Sequence, residues 1–333
     1  MGPSHMGLEK ILELTRQSAS RFVTTTLPAA PVLARGTFGG TLVAQSLLAS
    51  LYTVPTNFVP TSLHCYFISG GDPNNMIAYD VEDLRNGRNF IHKQITAYQG
   101  QRLIFSSTIL FAKEKHDHDS LHFLKTIKPS DLPDLRKFCD ASSLFERKFI
   151  LNDNWKRYAN LQPALGNPGI IQKQLETFQF GPIAYKFPED LFYSTADTDK
   201  LDQYISIRSS VTTTAVQYGE NPFRITPAND RRYNYVAFAY LSDSYLLMTV
   251  PYFHKLPMYS HKFSVSLDHS IYFHDMPRVN DWIYLQVTNP RSHWDKHLMR
   301  GEYYDSETGE IVANVSQEGL VIYDSEREIR AKF

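Results

Sequence analysis

The apolar and polar positions divide the chain into two similar halves joined by an irregular stretch. Leu8, Ile11, Leu12 and Leu14 fall at helical spacing and predict a short amphipathic helix over 8–18. A loop with Pro28 and Pro31 leads into Arg35-Gly36-Thr37-Phe38-Gly39-Gly40. The run from Thr41 to Tyr52 that follows is Leu, Val, Ala and Ser almost throughout. A helix apolar on nearly every side has to be wrapped by other elements. Strands are predicted behind it at 62–68, 76–84, 90–98 and 103–112, separated by Gly70-Gly71-Asp72-Pro73, Asn86-Gly87 and Gln99-Gly100.

Residues 114–200 carry charge clusters, Pro129, Pro133, Pro163 and Pro168, and no clean period. They read as a linker with partial structure. Strands at 203–211 and 213–218 come next, and then the first pattern returns. Asn229-Asp230 offers an N-cap. Tyr233, Val236, Tyr240, Leu241, Leu247 and Met248 form one stripe of a helix over 233–249, and strands follow at 263–273, 282–288, 298–304 and 311–323. Ser62-Leu63-His64 overlays Ser266-Leu267-Asp268, and Gln101-Arg102-Leu103-Ile104 overlays Gly309-Glu310-Ile311-Val312. An internal duplication follows. One long apolar helix wrapped by an antiparallel sheet is the hotdog arrangement, so the expected class is α+β with two hotdogs in tandem. The units are 7–113, the linker 114–200, 201–324 and a tail at 325–333. Met1 to Met6 reads as a tag remnant outside the fold.

The length of 333 residues suits two domains. With 42% hydrophobic and 21% charged residues the chain reads as globular, and 21 Phe and 20 Tyr can build a large core or line a long apolar pocket. A net charge of −1 gives no global attraction for nucleic acid or an anionic membrane, so an anionic ligand needs a local basic cluster. Arg85, Arg88 and Lys93 around Asn86-Gly87 are one candidate for phosphates; a solvated hairpin is the other reading. Cys65 and Cys139 cannot make a disulfide framework or a cysteine-rich metal site, which fits a reducing compartment. No run reaches the roughly 18 apolar residues of a membrane span. Ala331-Lys332-Phe333 is similar to the S-K-L type of peroxisomal address.

The motifs of serine hydrolases, phosphate loops, zinc proteases and dinucleotide folds are missing from the sequence. Among single residues, Asp243 in Leu241-Ser242-Asp243-Ser244 is expected halfway along the second helix, beside its buried stripe. A carboxylate there is either paired structurally or used. Gln317 shares the parity of Ile311, Ala313, Val315, Val321 and Tyr323, which sets an amide into an apolar face. It could hold a water or tie up a backbone group at a bulge. The first half has Ile109 at the matching place. Ser266 alternates with the polar set, opposite Phe263, Val265 and Leu267, and needs a bulge to approach the helix. Asp268 and His269 are adjacent, so their side chains point to opposite faces of a strand. His64 stands where Asp268 stands in the second half and reads first as structural. Gly39 and Gly40 either start the helix with free N–H groups that polarise a carbonyl or serve only close packing.

Together, 35–45 (RGTFGGTLVAQ), 63–67 (LHCYF), 79–90 (YDVEDLRNGRNF), 241–243 (LSD), 266–274 (SLDHSIYFH) and 317–319 (QEG) resemble acyl-CoA thioesterase II, and the Ala-Lys-Phe end is most similar to the fungal peroxisomal branch of that family. The resemblance covers about 20–113 and 203–323. It implies a double hotdog that hydrolyses medium- and long-chain acyl-CoA without metal or cofactor, coenzyme A being part of the substrate. It assigns catalysis to Asp243, Ser266 and Gln317; His64, Gly39, Gly40, Arg85 and Arg88 stand beside them as substrate-binding candidates on the residue-level reading above. It further implies a homo-oligomer in the peroxisomal matrix, delivered by an import receptor that reads Ala331-Lys332-Phe333. Two other readings use the same fold. A hotdog enoyl-CoA hydratase expects a D-x-N-P-x-H run, whereas Asp268 is followed by His-Ser-Ile-Tyr-Phe-His. A non-catalytic acyl-binding module would not need polar residues confined to one half.

Overall fold

The computed structural model describes residues 7–34, 36–114, 121, 123–212 and 224–333. Arg35, the tag remnant and the strand expected at 213–218 lie outside them. The N-terminal half runs α1 (Leu8–Leu12), β1 (Leu14–Arg16), β2 (Arg21–Thr24), α2 (Gly39–Leu51), β3 (Phe58–Phe67), β4 (Ala78–Asn86), β5 (Phe90–Gln99) and β6 (Arg102–Lys113). The connecting stretch holds β7 (Cys139–Asp140), α3 (Ala141–Phe145), α4 (Trp155–Leu161), α5 (Pro168–Phe180) and β8 (Ile183–Phe187). The C-terminal half runs β9 (Lys200–Ile207), α6 (Tyr233–Ser242), α7 (Val250–Phe253), β10 (His261–Ser266), β11 (Asp268–Phe273), β12 (Ile283–His293), β13 (Lys296–Asp305) and β14 (Ile311–Tyr323), followed by α8 (Glu326–Lys332).

Among the described residues fourteen strands join one sheet, in the order β1-β2-β4-β5-β6-β3-β11-β14-β13-β12-β9-β8-β7, with β10 paired to the far end of β14. Each helix run that the sequence makes apolar on every side lies inside its half of the sheet. Residues 40–51 of α2 and the whole of α6 are buried. The halves join where β3 pairs antiparallel with β11, from Ser62↔Tyr272 to Tyr66↔Asp268. A Cβ on Gly40 would collide with the backbone carbonyl of Tyr240 and the Phe38 ring, so the start of α2 touches the end of α6. At the opposite end Arg232, buried with its partner Asp230, donates from Nη1 to the Pro55 carbonyl at 3.0 Å. The two helices therefore run antiparallel, side by side. This is the tandem hotdog expected from the duplication.

The sequence expectation fails in three places. The first helix stops at Leu12, because Leu14 and Thr15 are drawn into pairing with β2. The helix expected over 233–249 ends at Ser242. Asp243 is its C-cap, Tyr245 takes a left-handed φ of 50°, and the chain resumes as a 3-10 turn at Leu247–Thr249. The strand expected over 263–273 is two strands broken at Leu267.

The stretch 123–200 is folded. Leu124, Ile127, Leu132, Leu135 and Phe138 cross the outer face of the C-terminal sheet and cover Tyr204, Tyr284 and Tyr304. Helices α3–α5 and the helical turn Glu146–Ile150 bring Phe145, Phe149, Tyr158 and Phe178 into one aromatic cluster with Phe187, Phe192 and Tyr245. Its apolar residues obey no single period because they serve a sheet face and a helix layer in turn. Ring pairs of this kind contribute about 0.5–1.5 kcal/mol each beyond area burial.

Candidate active site

The break at Leu267 decides where Ser266 points. Residues directly opposite on paired antiparallel strands share a face. Before the break Ser264 opposes Val321 and Ser266 opposes Gly319; after it Ile271 opposes Val315. The even residues of β10 thus face α6, and the odd residues of β11 do. A one-residue bulge has reversed the parity. Phe263 accordingly points outward and is 42% exposed, against its apolar character. Ser266 sits inside, which simple alternation did not predict.

Gln317 is fully buried on the inward face of β14. Its Nε2 donates to Asp243 Oδ1 at 2.5 Å and to Ser266 Oγ at 2.9 Å. One amide nitrogen therefore ties together the end of α6, the end of β10 and the middle of β14. Because both partners accept, the NH₂ end of the amide is fixed toward them. Gln317 Oε1 is buried with no protein partner among the described residues. A buried amide oxygen left unpaired is uncommon and points to a polar ligand.

Asp243 feels opposing influences. Burial pushes its carboxyl up to about 7, while the bonds from Gln317 and from the Gly40 backbone N–H pull it down. Its place at the C-terminal, negative end of α6 disfavours the anion as well. The result is a carboxyl poised to exchange a proton near neutrality. The contact with Gly40 comes from the other hotdog. Gly39 makes room for it: a Cβ there would lie 2.7 Å from Asp243 Oδ2 and 2.9 Å from the Phe67 ring. The Gly40 N–H is thus committed to the carboxylate, whereas the sequence reading left it between a substrate carbonyl and close packing.

The remaining candidates lie elsewhere. Arg85 is level with Ser62 through the register Arg85↔His92, His92↔Leu110 and Leu110↔Ser62. That places it five residues along the strands and three strands across from Phe67, on the order of 20 Å from the triad end of the sheet. Arg88 sits in the turn beyond it, and Lys93 is buried against Asp83. The basic hairpin and the triad do not meet within this chain. His64 is exposed on the outer face of β3, with Nδ1 at 3.1 Å from Ser270 Oγ and its ring against Tyr272. It faces away from the triad. Asp268 and His269 point to opposite faces: Asp268 Oδ1 accepts from the Glu318 N–H at 2.9 Å, and His269 is fully buried. Among the described residues no group of three or more His, Cys, Asp or Glu could hold a metal ion. Ala331 and Lys332 close α8, and Phe333 packs on Tyr158 and Tyr193.

Sequence reasoning missed the contribution of the N-terminal half to the Asp243 carboxylate. The only signal was the double glycine at the start of an apolar helix, which fits close packing equally well.

Both halves of the chain are similar to known proteins. A family model described as acyl-CoA thioesterase matches residues 216–320, and one described as acyl-CoA thioesterase N-terminal domain matches 28–112. The peroxisomal acyl-coenzyme A thioester hydrolase 1 of Saccharomyces cerevisiae is 56% identical, over 98% of this chain and 97% of its own. Human acyl-coenzyme A thioesterase 8 is 26% identical over 87% of this chain and 82% of its own. The acyl-CoA thioesterase II TesB2 structure of Mycobacterium marinum superposes with a TM-score of 0.64 at 23% identity, covering 96% of this chain and 99% of that one. A protein of Alicyclobacillus acidocaldarius described as having a hot dog fold superposes with a TM-score of 0.61, covering 95% and 98%. With a relative more than half identical along nearly the whole chain and a site built from both halves, the protein belongs to the acyl-CoA thioesterase family.

Proposed function

We propose that this acyl-CoA thioesterase hydrolyses medium- and long-chain acyl-CoA by direct attack of water, with Asp243 as the general base and Ser266 and Gln317 as the groups that orient the water. The supporting observation is the Gln317 amide nitrogen, bonded to both Asp243 and Ser266 in a buried position. A thioester carbonyl is electrophilic enough for attack without a covalent enzyme intermediate. Asp243, held near pH 7, takes the proton as the water oxygen bonds to the carbonyl carbon. The C–S bond then breaks, and the proton passes from Asp243 to the departing sulfur, giving free coenzyme A thiol and the carboxylic acid, which ionises by releasing its remaining proton to water. Orientation by two fixed hydrogen-bond partners lowers the entropy barrier of the attack. The reading calls on no metal or cofactor. Coenzyme A enters as part of the substrate.

The chain is peroxisomal, like its yeast relative. Reading of Ala331-Lys332-Phe333 by an import receptor and assembly into a homo-oligomer belong to the same proposal.

A chain-length series of acyl-CoA esters, followed by release of free thiol, tests the function. Turnover rising toward medium and long chains is expected. Hydration of trans-2-enoyl-CoA without thiol release would establish the hydratase reading instead. Tight acyl-CoA binding with neither reaction would establish the binding module.

A further inference from the structure

We infer that His269, with Tyr303, is a positioning residue for the reaction: it fixes the end of α6 so that the Asp243 carboxylate meets Gln317. His269 sits on β11 just past the bulge and points into the core. Its Nε2 lies 2.9 Å from Ser242 Oγ, and Ser242 is the last residue of α6, immediately before Asp243. Ser242 Oγ donates its one proton to the Ala239 carbonyl at 3.0 Å. It can therefore only accept from His269, which puts the imidazole proton on Nε2. The Ser242 carbonyl, one of the last four of the helix and without an intrahelical partner, accepts from Tyr303 OH at 3.2 Å. Both polar atoms that Ser242 presents at the helix end are thus tied to the surrounding sheet.

The arrangement is expensive. His269 Nδ1 is buried with no partner among the described residues. A leucine would fill much of the space with no unpaired acceptor, and a buried unsatisfied group destabilises the fold. A histidine kept there at that expense serves the helix end and with it Asp243. It acts as a fixed neutral donor, since burial pushes its imidazole down to about 3. It does not exchange protons with substrate. The inference rests on Asp243 being the base. The other titratable groups around that carboxyl are the Cys65 thiol on β3 and the Tyr303 phenol on β13, and burial holds both neutral, so the acid limb of the rate profile reports Asp243.

The test compares His269→Leu, His269→Gln and Tyr303→Phe with the parent, using palmitoyl-CoA from pH 5 to 9. Asp243→Asn runs in the same assay. A carboxylate displaced by a fraction of an ångström loses on the order of tenfold in rate or more. His269→Leu is expected to lower kcat about tenfold or more, leave KM within about twofold, and move the acid limb away from pH 7 as the carboxyl loosens toward water. His269→Gln, which can still donate to Ser242, is expected to recover most of both effects. Tyr303→Phe shifts both in the same direction by less, and it carries the test alone should the histidine variants not fold. If these variants change only thermal stability or KM while kcat and the limb stay put, the inference is overturned. If Asp243→Asn retains turnover, the base assignment itself is wrong, which is a separate outcome.

Discussion

The two hotdogs share a plan and differ in what their buried polar groups are left to do. In the N-terminal one the buried amide and two of the buried hydroxyls of α2 are all paired within that half. Gln45, buried in α2, accepts from Tyr79 OH at 2.7 Å and donates to the Ile11 carbonyl at 3.2 Å. Ser46 and Ser50 bond back to the helix carbonyls of Val43 and Ser46. In the C-terminal one the Gln317 amide gathers a carboxylate and a hydroxyl and leaves its own oxygen without a protein partner. Buried polar groups that are satisfied rigidify a core, whereas an open amide oxygen beside a carboxylate and an alcohol leaves a place for a polar ligand. After duplication, then, one copy keeps a helix start that receives the carboxylate, and the other keeps the carboxylate, amide and alcohol. Neither copy holds the whole set.

Substitutions can break or sharpen this contrast. The largest effect is expected at the acid itself. Asp243→Asn should lower kcat by about 10²–10⁴-fold, the usual range for a general base, while circular dichroism stays that of the parent. The glycine of the other copy should come next. Gly39→Ala places a methyl against Asp243 Oδ2 and the Phe67 ring, and a rate loss of about 10–100-fold in steady-state kinetics is expected although residue 39 sits on the opposite hotdog.

The amide and its counterpart should give opposite signatures. Gln317→Leu is expected to lower turnover with little change in melting temperature. Ile109→Gln in the first copy, at a fully buried position, should lower stability by about 2–4 kcal/mol in urea titrations without affecting kcat beyond about twofold.

The pH dependence follows from the raised carboxyl. Activity, as kcat/KM, should fall about tenfold per pH unit below about 7. Stability runs the other way. With the folded carboxyl titrating above its unfolded value, the fold is favoured by the protonated acid at low pH. That contribution, a few kcal/mol at most, fades as pH rises from about 4 through 7. Melting curves of the parent and Asp243→Asn should therefore diverge across that window. The smallest effect is expected at the basic hairpin: Arg85→Ala and Arg88→Ala should leave KM within about twofold in a monomeric preparation, since they lie at the other end of the sheet.

Much of this was already written in local order. The uninterrupted apolar run of α2 declared a wrapped helix, because burial on all sides leaves no polar stripe. The alternation along β14 placed Gln317 on the core face, because a strand's parity is fixed residue by residue. The repeat of helix and strands gave the double fold. What the chain alone could not decide were the non-local terms. The face that Ser266 takes depends on how β10 and β11 each register on β14, and a single bulged residue reverses it. The end of α6 at Ser242 is set by a turn held by Tyr185, whose OH lies 2.5 Å from Ser244 Oγ, and by Gln203, which donates to the Tyr245 carbonyl at 3.2 Å; both come from strands far away in sequence. The meeting of Asp243 with Gly39 and Gly40 exists only because two antiparallel helices from separate copies cross there. Residue types and spacing set which groups are available. Which of them come within a hydrogen bond of one another was decided by pairing across the whole sheet, where a shift of one residue exchanges inside for outside.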